Sequence, residues 1–359
     1  MQTVEYAMAA CDMMMRSFKP EELPPYGRFY YHQGVFLLGM AKVYELTGRQ
    51  DYLAYIRSYV DAVMDEQGCT KEPPHNELDD VMAGMLLYFL LDQTGEERYR
   101  KGIDYLHDVL MHMPSTSEGA PWHKAHLKSQ MWLDGLFMSG PFSMAYASRF
   151  DCPELREWAM NHVRVMFRHT RDPQTGLMYH AWDESGEAVW AQSGNGHSAE
   201  FWGRAMGWIA YGLLYDMDFV QPGTPVYEEL AQYDQMLLQA VLKYQSPDGR
   251  WYQVVNRADD PANWLENSCS CLFTAALYKG MRMGVMPSSC KEAAERGYEG
   301  IIRSLAWKGE DIQIGHVCVG TDVGDYQHYL NRPTSVNDLH GVGAFLILCA
   351  ERLRYQQNQ

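Results

Sequence analysis

Six stretches of the chain are apolar around most of a helical circumference: residues 35–46, 81–91, 136–147, 205–215, 269–281 and 341–353. A helix that is hydrophobic on every face is surrounded by protein, so these six are expected inside the fold. Each is opened by a cluster of polar, aromatic or glycine residues. The clusters are Tyr30-Tyr31-His32-Gln33-Gly34, Glu77-Leu78-Asp79-Asp80, Trp132-Leu133-Asp134-Gly135, Phe201-Trp202-Gly203-Arg204, Glu266-Asn267-Ser268 and Asn337-Asp338-Leu339-His340. Between the apolar stretches run six amphipathic, charged helical patterns, around 4–18, 52–64, 98–111, 154–167, 227–244 and 291–305. Turn signals such as Thr47-Gly48, Thr94-Gly95 and Pro222-Gly223 separate an inner segment from the outer one that follows. Six buried helices alternating with six half-exposed ones form a repeated helical hairpin, and closing that array predicts an all-α fold, an (α/α)6 barrel. The inner helices then all run the same way, so their polar openings share one rim. That geometry gathers Asp79, Asp134, Arg204 and His340, far apart in the chain, around one mouth.

Two further segments read as β-hairpins at that rim. Asp172-Pro173-Gln174-Thr175-Gly176 and Asp183-Glu184-Ser185-Gly186 bracket residues 177–182, and Ser246-Pro247-Asp248-Gly249 turns into 251–255. No Pro/Gly/Ser-rich linker divides the 359 residues, which predicts one catalytic domain over 1–359. The formal net charge of −16 disfavours nucleic acid and anionic membrane surfaces as partners. No apolar run approaches the length of a bilayer span, and the N-terminal residues lack the basic start and apolar core of a signal peptide. The eight cysteines are scattered, with no zinc-type spacing, as expected of free thiols in a reducing, cytoplasmic setting.

The chemistry sits in the openings. Asp134 lies among Trp132, Leu133, Leu136 and Phe137. A carboxylate among apolar neighbours either finds hydrogen bonds or has its pKa raised, and a raised pKa suits a general acid. The alternative is an Asp that caps a helix start. Around it the rim collects a carboxylate at Asp79, imidazoles at His123, His126, His180, His197 and His340, cations at Lys124 and Arg204, and indoles at Trp132, Trp202 and Trp208. Flat aromatic faces and hydrogen-bonding carboxylates suit a sugar. A guanidinium holds a substrate carboxylate through two parallel hydrogen bonds, although Arg204 would serve equally as an ion-pair partner. His123-Lys124-Ala125-His126 lacks the Glu of a zinc-protease motif, and no phosphate-binding glycine loop or nucleophile elbow is present. Neither a metal nor a cofactor is expected.

Several of these motifs, taken together, are familiar. Trp122-His123-Lys124, the run from Trp132 to Met138, Tyr179-His180-Ala181-Trp182-Asp183, the run from Phe201 to Trp208, and the run from Asn337 to Phe345 resemble the unsaturated rhamnogalacturonyl hydrolases of glycoside hydrolase family 105. The resemblance covers nearly the whole chain in order and implies an (α/α)6 barrel. It also implies an unusual glycosidase reaction on a short oligosaccharide whose terminal uronate carries a C4=C5 double bond. An acid protonates C4, water adds at C5, and the hemiketal opens to expel the next sugar. By motif match, Asp134 is the general acid/base and Asp79 the second carboxylate. His123, His180, Arg204 and Trp208 contact substrate, Trp132 and Trp202 flank the sugar, and Lys124 assists carboxylate binding. The implied substrate is a pectin-derived unsaturated galacturonyl-rhamnose. The alternatives are an unsaturated glucuronyl hydrolase, an (α/α)6 sugar epimerase, an inverting hydrolase of saturated glycans, or a non-catalytic carbohydrate-binding barrel.

Overall fold

The computed structural model describes residues 1–358. Outer and inner helices alternate along the chain. They are α1 (Thr3–Ser17), α2 (Tyr31–Thr47), α3 (Gln50–Val63), α4 (Met85–Thr94), α5 (Glu97–Met111), α6 (Asp134–Arg149), α7 (Pro153–Thr170), α8 (Gly203–Asp216), α9 (Pro225–Leu242), α10 (Asn267–Met283) and α11 (Lys291–Ser304). A short α12 (Tyr326–Leu330), absent from the periodicity, precedes the last inner helix, α13 (Leu339–Gln357). The even-numbered helices α2 to α10 together with α13 form the inner ring. α2 packs on α13, α13 on α10, α10 on α8 and α8 on α6. The ring closes where α6 meets the turns before α4, and α4 in turn meets α2. This is the (α/α)6 barrel that the apolar periodicity predicts.

The sequence dictates both the stops and the spacing. α2 ends at Gly48, whose φ of +69° is the left-handed region where a side chain is disfavoured. α13 crosses α2 so closely that a Cβ on Gly343 would lie 2.6 Å from the Val35 carbonyl oxygen. The interior is dense and aromatic, with Phe137 of α6 stacked on Trp208 of α8 at 4.9 Å.

Two expectations need correction. The second inner helix begins at Met85 rather than at residue 81, after 3₁₀ turns at Leu78–Asp80 and Met82–Gly84. The Asp80 carboxylate accepts the backbone N–H groups of His75 (2.8 Å) and Glu77 (3.1 Å), which holds this stretch in a turn instead of a helix. The turn at 172–176 closes a local antiparallel bridge between Arg171 and Met178, and Trp182 bridges His197, but the ladder of the strand at 181–183 does not lie within the bracketed segment. Instead β2 (Ala181–Asp183) pairs antiparallel with β1 (Gln130–Trp132), placing Trp132 opposite Ala181. Likewise β3 (Trp251–Tyr252) pairs with β4 (Leu265–Glu266), and β7 (Val317–Cys318) with β8 (Thr334–Ser335). β5 (Ala306–Lys308) and β6 (Asp311–Gln313) make a tight local hairpin. Strands of two or three residues form few ladder bonds, so the barrel loops decide which partner arrives. Cys11, Cys269, Cys271, Cys290, Cys318 and Cys349 are buried thiols. Among the described residues no helix is long and apolar enough to cross a membrane.

Candidate active site

Asp134 occupies the first turn of α6, where the helix dipole favours negative charge. Its Oδ2 lies 3.0 Å from His180 Nε2, which arrives just before β2. The β1–β2 ladder makes this meeting possible, since it carries His180 alongside Trp132. The carboxyl pKa falls below its ordinary value. Burial pushes it up, as the apolar neighbours suggest, but the hydrogen bond from His180 and, after it, the electrostatic pull of His180, His123 and Arg204 outweigh burial. The expected raised pKa is therefore overturned for the free protein. The side chain remains 13% exposed, and among the described residues no donor other than His180 Nε2 hydrogen-bonds to it.

Asp79 belongs to a second, tighter cluster. Its Oδ2 accepts from the Tyr30 hydroxyl (3.1 Å) and lies 3.1 Å from Lys124 Nζ, while His123 Nε2 approaches Oδ1 at 3.6 Å. Lys124 also donates to Glu77 (2.9 Å), so its positive charge is shared between two carboxylates, which raise its pKa against the effect of burial. His123 is buried, which lowers its pKa, and its ring stacks on Trp132 at 4.7 Å. It thus links the Asp79 cluster to the Asp134 wall. His126 of the same H-x-x-H run is exposed, so the two histidines do not converge.

Arg204, in the first turn of α8, is buried, yet no carboxylate pairs with it among the described residues. Its guanidinium lies over the Trp202 ring at 4.6 Å and donates to the carbonyls of Cys318 and Val319 (2.9 Å for the latter). Trp208 lies one turn deeper in α8, against Phe137. Tyr31 ties the rim together. Burial raises its phenol pKa, and the carboxylates of Asp79, Asp134 and Asp338 raise it further while Arg204 opposes them. Its hydroxyl meets His340 Nε2 at 3.2 Å, and the His340 ring lies 4.4 Å from that of His32. The structure thus gathers Asp79, His123, Lys124, Trp132, Asp134, His180, Trp202 and Arg204 at one end of the barrel.

The sequence profile of Glycosyl Hydrolase Family 88 matches residues 6–356. The chain belongs to this family. A solved glycoside hydrolase of family 105 from C. acetobutylicum is 30% identical over 98% of this chain and 99% of its own, with a TM-score of 0.92. The unsaturated rhamnogalacturonyl hydrolase YesR of Bacillus subtilis is 27% identical over 250 residues, 68% of each chain. The unsaturated glucuronyl hydrolase of Bacillus sp. GL1, at 16% identity and a TM-score of 0.74, shares the fold.

Within this family member, three participants escape the sequence reading. Tyr30 bridges Glu77 and Asp79, at 2.9 and 3.1 Å. Tyr329 of α12 reaches His180 Nδ1 at 2.7 Å. Gln253 accepts from Trp202 Nε1 at 3.1 Å. Tyr30 stood in a quoted rim cluster, so a signal existed for it. Gln253 lay within the 251–255 segment read as a rim hairpin, where nothing marked it as a partner of Trp202, and Tyr329 lies in the short α12 that the periodicity does not show.

Proposed function

We propose that the protein is a glycoside hydrolase that removes an unsaturated uronate from the non-reducing end of a short oligosaccharide, with pectin-derived unsaturated galacturonyl-rhamnose as its substrate. One observation carries the reading. A partly exposed carboxylate, Asp134, shares a rim with a buried cation, Arg204, that makes no direct ion pair with a carboxylate among the described residues, although Glu266 and Asp338 lie close enough to raise its pKa. The 30% identity to the family 105 enzyme over nearly the full chain supports the reaction class. The match to YesR supports the rhamnogalacturonyl substrate.

In this reading the substrate carboxylate binds near Arg204, and the sugar lies between Trp132 and Trp202. Asp134 gives a proton to C4, which leaves positive charge at C5 stabilised by the ring oxygen. Water attacks C5 and returns a proton to Asp134. The resulting hemiketal opens, and the glycosidic bond breaks with loss of the neighbouring sugar. The depressed pKa of Asp134 in the free protein fits this sequence if binding changes the field. A bound uronate brings a negative charge that offsets Arg204, which favours the protonated carboxyl. The ligand thereby loads its own acid.

The test is a panel of lyase-generated disaccharides, following loss of the conjugated double bond's ultraviolet absorbance. Turnover in ¹⁸O-water should place the label at C5 of the released uronate, and the departing sugar should keep its own oxygen. Saturated uronosides should be inert. Comparable turnover of saturated substrates, or label on the departing sugar, overturns the proposal.

A further inference from the structure

His180 is held from both sides. Nε2 faces Asp134 Oδ2 at 3.0 Å, and Nδ1 faces the Tyr329 hydroxyl at 2.7 Å. A neutral imidazole has one N–H, so the partner of each nitrogen decides which one carries the proton. The Tyr329 oxygen already accepts from the Gly324 backbone N–H at 3.2 Å. Its own hydrogen is thereby left to point at Nδ1. The phenol is itself fixed. Trp202 stacks on it, with planes 16° apart, and Gln253, which accepts from Trp202, donates to the Tyr329 carbonyl at 3.3 Å. The chain of donors runs one way, from Gly324 N–H to Tyr329, from Tyr329 O–H to His180 Nδ1, and from His180 Nε2–H to Asp134.

We propose that Tyr329 is a positioning residue that fixes the Nε2–H tautomer of His180 and so controls the proton state of Asp134. The inference rests on the reading of Asp134 as the acid/base. Tyr329 makes no hydrogen bond to Asp134. Its effect passes through the imidazole: with the Tyr329 hydrogen on Nδ1, His180 presents a hydrogen to Asp134 and has no free site for a second proton. Removing the hydroxyl opens Nδ1. An Nδ1–H tautomer then turns a bare lone pair toward the carboxylate, whereas a doubly protonated ring pins Asp134 as the anion. Either outcome lowers the fraction of Asp134 in its working state.

The experiment has two arms. In ¹⁵N-labelled, ligand-free protein, long-range correlations of the His180 ring are read directly, with assignment by comparison with His180→Asn. The wild type should show a protonated Nε2 and a bare Nδ1, and Tyr329→Phe should lose that pure tautomer. A wild-type ring protonated at Nδ1, or a Phe variant with an unchanged ring, overturns the proposal. In the kinetic arm, Tyr329→Phe should lower kcat by about 10- to 100-fold, by analogy with the loss of a partner that orients a metal-bound histidine, with a change in the pH profile and little change in KM. An unchanged kcat and pH profile overturns it. If Tyr329→Phe does not fold, fluorinated tyrosine at this position keeps size and donor, and the pH profile should then move with the acidity of the phenol; an unmoved profile overturns the proposal. Absence of turnover on unsaturated uronosides in the wild type defeats the functional reading alone, since the tautomer is read without substrate.

Discussion

Asp134 in the first turn of α6 and Glu351 near the far end of α13 are both carboxylates held below their ordinary pKa, yet their surroundings differ in kind. Glu351 is fully buried about 18 Å along its helix from the rim, at 1.5 Å per residue. It accepts from Tyr211 (3.1 Å), Arg282 (2.9 Å) and Arg354 (3.4 Å), with Lys42 Nζ at 4.0 Å. Burial pushes its pKa up, but the four cations of Lys279, Lys42, Arg354 and Arg282 bring it down to about 2. Both lone-pair systems are filled by protein. Among the described residues Asp134 has one protein donor, keeps a partly exposed side chain, and stands near Arg204, a cation in no direct ion pair. Burial of charge therefore does not mark a site. Charge that the protein itself leaves incompletely answered does.

That contrast is broken most directly by exchanging the expected losses. Asp134→Asn keeps size and hydrogen bonding but cannot shuttle a proton. It should cost on the order of 10²–10⁴ in kcat while thermal unfolding shifts little. Glu351→Gln should do the reverse. Removing the charge that unites several buried cations should cost about 3 kcal/mol of stability, with kcat/KM of the folded enzyme unchanged. The pH window follows from the sign of the shift. Since the folded pKa of Glu351 (about 2) lies below the ordinary 4.5, its contribution is complete above 4.5 and is lost as pH falls toward 2. Denaturant titrations at successive pH values should show this loss in the wild type and a flatter dependence in Glu351→Gln. Equal steepness in both would place the acid-sensitive group elsewhere.

The sequence made the two ends unequally legible. Helical periodicity located all twelve barrel helices to within a few residues, because an inner helix must be apolar all round and an outer one on a single stripe. It also placed Asp79, Asp134 and Arg204 at one rim, since parallel inner helices leave no other arrangement. It missed the direction of the Asp134 shift for a definite reason. The apolar neighbours of Asp134 are local and visible, whereas His180 is 46 residues away and reaches it only through the β1–β2 pairing. Glu351 and Lys42 drew no notice, because a single charge in an apolar helix looks like a surface position until its partners on other helices are known. Strand partners were illegible for a similar reason: segments of two or three residues carry turn signals but no register.

Arg204 sharpens the comparison from the other side, as the buried cation in no direct ion pair among the described residues. Arg204→Lys keeps the charge but loses the planar fork. It should weaken kcat/KM by about 1–3 kcal/mol, the scale of a lost charge-assisted hydrogen bond. The structure adds a second consequence. The fork also holds the carbonyls of Cys318 and Val319, so the Lys variant should loosen residues 317–325, read as faster amide exchange there. Slower turnover with unchanged exchange would assign Arg204 to the substrate alone. Unchanged kinetics would pass the carboxylate to Lys124, whose charge Glu77 and Asp79 already share.

The smallest expected effect is also the one that separates a prepared acid from a loaded one. If Asp134 must carry a proton to C4, activity falls as pH rises through its pKa. In the free enzyme that pKa lies below the ordinary carboxyl value, because His180, His123 and Arg204 together outweigh burial. The profile of kcat/KM reports the free enzyme and should fall early on the alkaline side. The profile of kcat reports the complex, in which the uronate charge offsets the cationic field, so its alkaline limb should lie at higher pH. A displacement of about one unit corresponds to roughly 1.4 kcal/mol of interaction between the bound carboxylate and the Asp134 proton. A neutral ester of the same substrate lacks that charge, and its two limbs should draw together. Coincident limbs for the natural substrate would mean that Asp134 is protonated without help from the ligand, and the contrast between the open rim and the neutralised far end would lose its functional meaning.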